Sequence, residues 1–413
     1  MTDPDLALDP LLIAALLIAA LLLVAIAFAS CSGLLIALLG LQRVFSIAPC
    51  LEAAPEIDLP DTSLCVVIPA YNEAENIAPC LSSVLNSDPP CNEWQVLVVD
   101  DDSTDVTAER AMLEASGRNA DDPPFELLRA GPRPVGERWV GKNWACTQAM
   151  EQVRSHWVLF IDADVRLQPQ ALRRALAQAI REEADLFSLA PRLSCGCLAE
   201  WMVQPIMASL LGLGFPIEAT NDPDSAVAFA AGPFMLFRRS AYEAIGGHRA
   251  LASEVVEDLA LARGIKAGGF RLRYLLGLDA VDLRMYADLP SLWEGWTKNW
   301  LIGLDRNVGK ALGAAGVVVL MFSVPWLLLP SALVLLWLLP QLSVWWLLLL
   351  GLSLLGIGQQ LALRFWQRRR FDVPLTYWWL MGAGGLLLGA IGPVSVWRTL
   401  TGRGWTWKGR QLA

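Results

Sequence analysis

Histidine is nearly absent: His156 and His248 are the only two in the chain. That scarcity excludes a multi-histidine zinc or iron centre. Charge is also sparse, at 18% of residues, and 32 basic side chains against 41 acidic ones leave a formal net charge of −9. A nucleic-acid binder shows a basic footprint, so nucleic acid is excluded as a partner. Metal-type cysteine spacing is missing. The eight cysteines are scattered, with Cys195-Gly196-Cys197 the only close pair, and they read as reduced thiols in a cytosol-facing protein. No Lys or Arg precedes the first apolar run, only Asp3, Asp5 and Asp9, which argues against a cleaved signal peptide.

What is abundant is apolar sequence. Of 413 residues, 55% are hydrophobic, a length that suggests two or three units at about 150 residues each. Residues 10–41 carry no charge, and a helix needs only about 20 apolar residues to span a bilayer, so this run reads as an uncleaved anchor. Three further apolar segments cover 311–339, 341–363 and 374–397, the first region broken by Pro325, Pro330 and Pro340. Arg43, Arg306, Lys310 and the cluster Arg364, Arg368, Arg369 and Arg370 place the middle of the chain, 42–310, in the cytoplasm and the N-terminus outside. The expectation is a multi-pass protein of a bacterial inner membrane.

The basic tail, 398–413, disagrees with that count. Three C-terminal crossings carry it outside, yet it holds Arg398, Arg403, Lys408 and Arg410 and no acid. Either the segment 374–397, rich in Gly382, Gly384, Gly385, Gly389 and Gly392, is a re-entrant hairpin, or the charge rule fails here. The apolar stretch 198–217 is too short and interrupted to span and reads as interfacial, where a lipid would enter. Trp293, Trp296 and Trp300 suggest a second interfacial helix, ordinary core packing being the alternative.

The middle reads as α/β. Leu64 to Pro69, Val96 to Asp100 and Val158 to Ile161 are short β-branched runs, and 73–85 shows helical spacing at Ile77, Leu81, Val84 and Leu85. Strands alternating with helices predict parallel pairing by crossover, with ligands at the carboxyl ends of the strands. Those ends open on Pro69-Ala70-Tyr71-Asn72-Glu73, on Asp100-Asp101-Asp102-Ser103-Thr104-Asp105 and on Asp162-Ala163-Asp164. Clustered carboxylates repel, so solvent, a cation or ligand donors must offset them. Part of Asp102 to Asp105 also reads as a turn or helix cap.

This ordered series, continued by Glu257-Asp258, resembles the family 2 glycosyltransferases of the GT-A fold, over residues 64 to about 300. Three stretches are similar to the hopene-associated glycosyltransferases: Trp139-Val140-Gly141-Lys142-Asn143-Trp144-Ala145, Gly246-Gly247-His248 and Trp407-Lys408-Gly409-Arg410. Carotenoid-acid glycosyltransferases share them.

The resemblance implies a Rossmann-like nucleotide-sugar domain flanked by transmembrane helices. It implies that Asp100 or Asp101 accepts from the uracil edge of a UDP-sugar, in a pocket shaped by Pro69, Ala70, Asn72 and Glu73. Asp162 and Asp164 would hold Mg²⁺ or Mn²⁺ against the diphosphate, hard cations that prefer oxygen. Lys142 would add positive charge there; without the resemblance it is a solvated surface lysine. Asp258 would be the general base of an inverting transfer to a lipid hydroxyl or carboxyl, of hopanoid or other polyprenoid type, with Glu257 beside it. Both acids also suit a helix start on dipole grounds alone.

Two departures stand out. Asp102 occupies the place of a usual Gly, which puts the local turn in question. The Gln-x-x-Arg-Trp motif of processive synthases is replaced by Trp296-Thr297-Lys298-Asn299-Trp300, which disfavours polymer extrusion. A ceramide- or carotenoid-type transferase is the alternative enzyme, and a catalytically silent membrane scaffold the alternative of another class.

Overall fold

The computed structural model describes residues 10–53, 61–117 and 122–411. The acidic start at Asp3, Asp5 and Asp9 lies outside them. Helix α1 (Pro10–Ser46) leads to strand β1 (Ser63–Ala70), α2 (Ile77–Leu85), β2 (Glu93–Asp100), α3 (Thr107–Ala115) and β3 (Phe125–Arg129). Then come α4 (Gly141–Gln152), β4 (Trp157–Ile161), β5 (Val165–Leu167), α5 (Ala171–Arg181), β6 (Leu186–Ala190) and β7 (Arg192–Leu193). Next are α6 (Leu198–Gly214), α7 (Ile217–Asn221), β8 (Phe234–Arg238), α8 (Arg239–Ala244), α9 (Gly247–Ala250) and α10 (Glu257–Ala267). The domain closes with β9 (Leu272–Leu276), β10 (Val281–Leu283) and α11 (Leu289–Gly303).

Seven strands form one sheet in the order β3-β2-β1-β4-β8-β6-β9. Strands β1, β2, β3 and β4 pair in parallel, as the alternation predicts, with Ala70 opposite Asp100 in register. β8, which the sequence reading does not name, runs antiparallel to both β4 and β6. β1 carries a run of five consecutive buried residues, Leu64 to Ile68, because helices cover both sheet faces and leave no polar side. α2 starts at Ile77 rather than at 73, since residues 72–76 form the turn that follows β1.

Among the described residues, four segments are long and apolar enough to cross a membrane: Leu11–Ser46, Val308–Leu338, Pro340–Phe371 and Trp378–Leu400. The second is α12 (Val308–Val318), a π-helical turn at Val319–Ser323, and α13 (Val324–Leu338) with Pro325 in its first turn. A π turn relaxes the hydrogen-bond ladder where a proline cannot donate. After Pro340 the chain enters α14 (Ser343–Phe371), and α15 (Met381–Leu400) follows.

α15 is one continuous helix, yet it does not carry the chain to the far face. α14 ends beside the end of α1, with the Phe45 and Phe371 rings 5.0 Å apart and Arg370 Nη2 donating to the Phe45 carbonyl at 2.7 Å. α15 then begins deep in the bundle, Gly382 against Trp326, and climbs back past Val319 and Ala315 at Gly389 and Gly392. A Cβ at Gly382, Gly389 or Gly392 would come within 2.6 Å of a neighbouring atom, so the glycine stripe is what allows this close packing. Residues beyond α15 reach the sheet domain, where Arg410 pairs with Asp101. The chain thus returns along α15 to the end of the bundle beside the sheet domain, the course that the re-entrant alternative expects.

α6 joins the two parts. Its Glu200, Gln204 and Ser209 are buried; Gln204 Oε1 accepts from Trp296 Nε1 at 2.9 Å, and Gln367 Nε2 donates to Pro205 O at 2.8 Å. Trp296 and Trp300 are core residues rather than boundary anchors, with Trp300 Nε1 donating to Ala311 O at 3.0 Å. Packing between α11, α6 and α15 outcompetes the indole preference for a wet interface. On α14, Arg364 is fully buried, and none of its guanidinium nitrogens has a hydrogen-bond partner among the described residues.

Candidate active site

The turns after β1 and β2 are stitched to each other. Asn72 N donates to Ser103 Oγ at 3.0 Å, Thr104 N to Asn72 Oδ1 at 2.9 Å, and Glu73 N to Thr107 Oγ1 at 2.8 Å. The Asn72 amide is therefore spent on shape. Asp102 adopts φ +61°, the left-handed conformation that favours Gly and that Asp tolerates better than most residues; the turn survives the replacement. Asp105 Oδ1 accepts from Thr107 N at 3.0 Å, which makes it part of the turn before α3, whose N-cap is Val106.

Asp100 and Asp101 part ways. Asp100 Oδ1 accepts from its own turn at Ser103 N, 3.3 Å away. Asp101, 3% exposed, is held instead by two arginines: Arg133 Nη2 lies 2.6 Å from its Oδ2, and Arg410 grips the same oxygen and the Asp101 carbonyl. Burial still holds Asp101 above the usual carboxylate range against both guanidiniums. At the end of β1, Ala70 O accepts from Asp101 N at 2.9 Å.

Lys142 sits in the first turn of α4. Asn143 beside it is buried and ties α4 to the loop before α10 through Leu251 O at 2.6 Å and Glu254 O at 2.9 Å. Lys142 Nζ then lies 2.7 Å from both Asp162 Oδ1 and Glu257 Oε1. Burial opposes its charge, but the two carboxylates outweigh it and raise the lysine well above its ordinary value. It is not a solvated surface lysine. Burial likewise works against the Glu257 anion, and Lys142 holds that carboxyl below its ordinary range.

Asp164 is the contrasting acid. Burial, then the neighbouring Asp162 and Glu73 carboxylates, push it well above its ordinary value, and its Oδ1 is buried without a hydrogen-bond partner. It lines a cleft of about 310 Å³ with Asn76, Arg166, Ser194 and Arg284. An orphaned carboxylate oxygen between two other acids fits a divalent cation completed by phosphate oxygens. No cluster of three or more His, Cys, Asp or Glu ligands is assembled among the described residues.

Asp258 opens α10 next to Glu257. Its Oδ1 accepts from Leu259 N at 2.7 Å; burial first, then the Glu257 charge, pushes its pKa up to about 6. Below it, Gly246 and Gly247 take φ +78° and +50°, and a Cβ at Gly247 would fall 2.3 Å from the Tyr242 ring. That lets Tyr242 reach His248, Oη to Nδ1 at 2.8 Å. Burial lowers His248 to about 3, so it is a neutral packing group.

The structure thus brings Glu73, Asp101, Lys142, Asp162, Asp164, Glu257 and Asp258 to one basin at the carboxyl ends of the central strands. A sequence profile for Glycosyl transferase family 2 matches residues 65–246. This region is similar to the family 2 glycosyltransferases. Its fold is α/β, with apolar helices on either side of it in the chain. Among curated relatives, 4,4'-diaponeurosporenoate glycosyltransferases of Staphylococcus aureus strains MRSA252 and USA300 are 28% identical over 255 residues, 61% of this chain. The alignment spans 64% of those relatives' own length. A mannosyltransferase from Pyrobaculum calidifontis, solved with GDP-Man and Mn²⁺, aligns at 17% identity and TM-score 0.49 over 90% of this chain and 99% of that one. Glucosyl-3-phosphoglycerate synthase from Mycobacterium tuberculosis, solved with Mn²⁺, UDP and phosphoglyceric acid, aligns at 19% identity and TM-score 0.40 over 60% and 78%.

Sequence reasoning gives no site role to four basic residues found here, Arg133, Lys298, Lys408 and Arg410, although Lys408 and Arg410 lie in a stretch that the resemblance picks out. Burial lowers Lys298, against the pull of Glu257, and its Nζ stacks 4.5 Å from the Trp407 ring. Only the tail left a signal, four bases without an acid.

Proposed function

We propose that this protein is an inverting, metal-dependent glycosyltransferase. It moves a sugar from a nucleotide-sugar, UDP-linked first, onto a polyprenoid lipid at the cytoplasmic face of a bacterial inner membrane. The observation that carries the reading is Asp258, a half-buried carboxylate raised to about 6, at the start of α10 beside Glu257 and its partner Lys142.

A hydroxyl acceptor loses its proton to Asp258 as its oxygen bonds to the anomeric carbon. The bond from that carbon to the phosphate oxygen breaks, and the nucleoside diphosphate leaves with the electron pair. A base with pKa near the working pH suits this step. Asp162 and Asp164 would hold Mg²⁺ or Mn²⁺, which when bound offsets charge on the leaving diphosphate. Lys142 adds fixed positive charge on the same side, and Glu257 keeps that lysine charged and placed.

The relatives' name, a carotenoid acid, supports a polyprenoid acceptor and favours a second reading in which a carboxyl rather than a hopanoid hydroxyl is glycosylated. A carboxyl of ordinary pKa arrives ionised and needs no base. Membranes carrying the protein, labelled UDP- and GDP-sugars and bacterial lipid are expected to yield a discrete labelled lipid. Asp258→Asn should cost about 10²–10⁴-fold with a hydroxyl acceptor and little with a carboxyl. Label in a polymer, or none with any donor, would sink the lipid-transferase reading.

A further inference from the structure

The last described residues form a small hairpin over the donor side of the basin. β11 (Thr406–Trp407) pairs with β12 (Arg410–Gln411) across Lys408-Gly409, both in left-handed conformations at φ +49° and +80°. This is the two-residue turn whose twist matches a hairpin. Gly409 takes that conformation freely. Lys408 does not, and a strained non-glycine residue at a pocket edge persists only where its surroundings hold it.

Those surroundings are on the page. Lys408 Nζ lies 2.5 Å from Glu73 Oε1, donates to Asn72 O at 3.0 Å, and acts electrostatically on Asp164. Arg410 holds Asp101 through two nitrogens and lies 3.8 Å over the face of Tyr71. Trp405 packs with Val140 and Val255, beside Lys142 and Glu257 respectively. The hairpin therefore touches both walls of the basin, more than 300 residues from Asp101 in sequence.

We propose that residues 405–410 are a cap on the donor pocket and that Lys408 binds the donor's diphosphate, with Arg410 fixing the nucleobase side through Asp101 and Tyr71. The inference rests on the donor-site reading above. A phosphate arriving beside Asp164 meets an ammonium already aimed at that corner, and exchanging Glu73 for a phosphate oxygen keeps the lysine's charge paired.

Full-length protein in detergent, titrated with UDP, GDP and the corresponding monophosphates in Mg²⁺, tests this. Lys408→Gln is expected to weaken the preferred diphosphate by about ten-fold or more and the monophosphate far less. Lys408→Arg, which keeps the charge, should recover most of the loss and shows that the site still folds. Removing 404–413 should weaken the diphosphate at least as much. Equal affinity in Lys408→Gln overturns the proposal, as does tighter binding after removal, which would make the hairpin a plug. No nucleoside diphosphate binding by the unaltered protein overturns the donor site itself, and the cap with it.

Discussion

Gly232 backs directly onto Asp258: a Cβ at position 232 would stand 2.9 Å from Asp258 Oδ2. The raised carboxylate can occupy its place at the start of α10 only because the chain beside β8 carries no side chain there. Gly232→Ala is therefore expected to displace the base while leaving the donor side intact. Transfer should fall about 10²-fold, the cost of an ångström-scale misplacement of a reacting group, with nucleotide affinity unchanged. Full activity in this variant would show that the Asp258 position is not critical.

The pH profile follows from the same residue. Burial and the Glu257 charge raise Asp258 to about 6, and only its ionised form accepts a proton. With a hydroxyl acceptor, kcat/KM is expected to rise with pH through about 6 and then level off. A profile flat from pH 5 to 8 would take the base role away from Asp258.

Arg364 makes a stability prediction. A fully buried guanidinium without hydrogen-bond partners is a net cost, and apolar replacements of buried charges are often neutral or stabilising. Arg364→Met should leave the Tm in detergent unchanged or higher. A drop of several degrees would mean that the arginine is satisfied in the folded protein after all.

The return path of α15 predicts sidedness. Reporter fusions after Arg370 and at the chain end should both lie on the side of the catalytic domain, and a fusion after Leu339 on the other. Opposite sides for the first two would make α15 a true crossing.

Much of this protein was legible residue by residue. The apolar run of β1, the β-branched β2 and β4 and the uncharged spans are local patterns, because burial on two faces or in lipid demands apolar residues at consecutive positions. The acids at the strand ends were visible for the same reason: a parallel sheet places its site at the carboxyl ends. Less legible was what each acid does. Asp100 and Asp101 are adjacent and identical in chemistry, yet one caps its own turn and the other meets Arg133 and Arg410, a difference set by side-chain direction at a strand end.

The sequence by itself determined the fold class, the apolar segments and the acids available for chemistry. Only the tertiary structure decided which charges meet. Lys142 joins Asp162 to Glu257, Lys408 joins the tail to Glu73, and the α15 glycines turn an apparent crossing into a return. Trp296 and Trp300 go inside, although their chemistry suits a boundary equally well. The physical reason is range: hydrophobic periodicity is written within a few neighbouring residues, whereas pairing across 100 to 300 residues depends on the whole packed chain and leaves no local pattern.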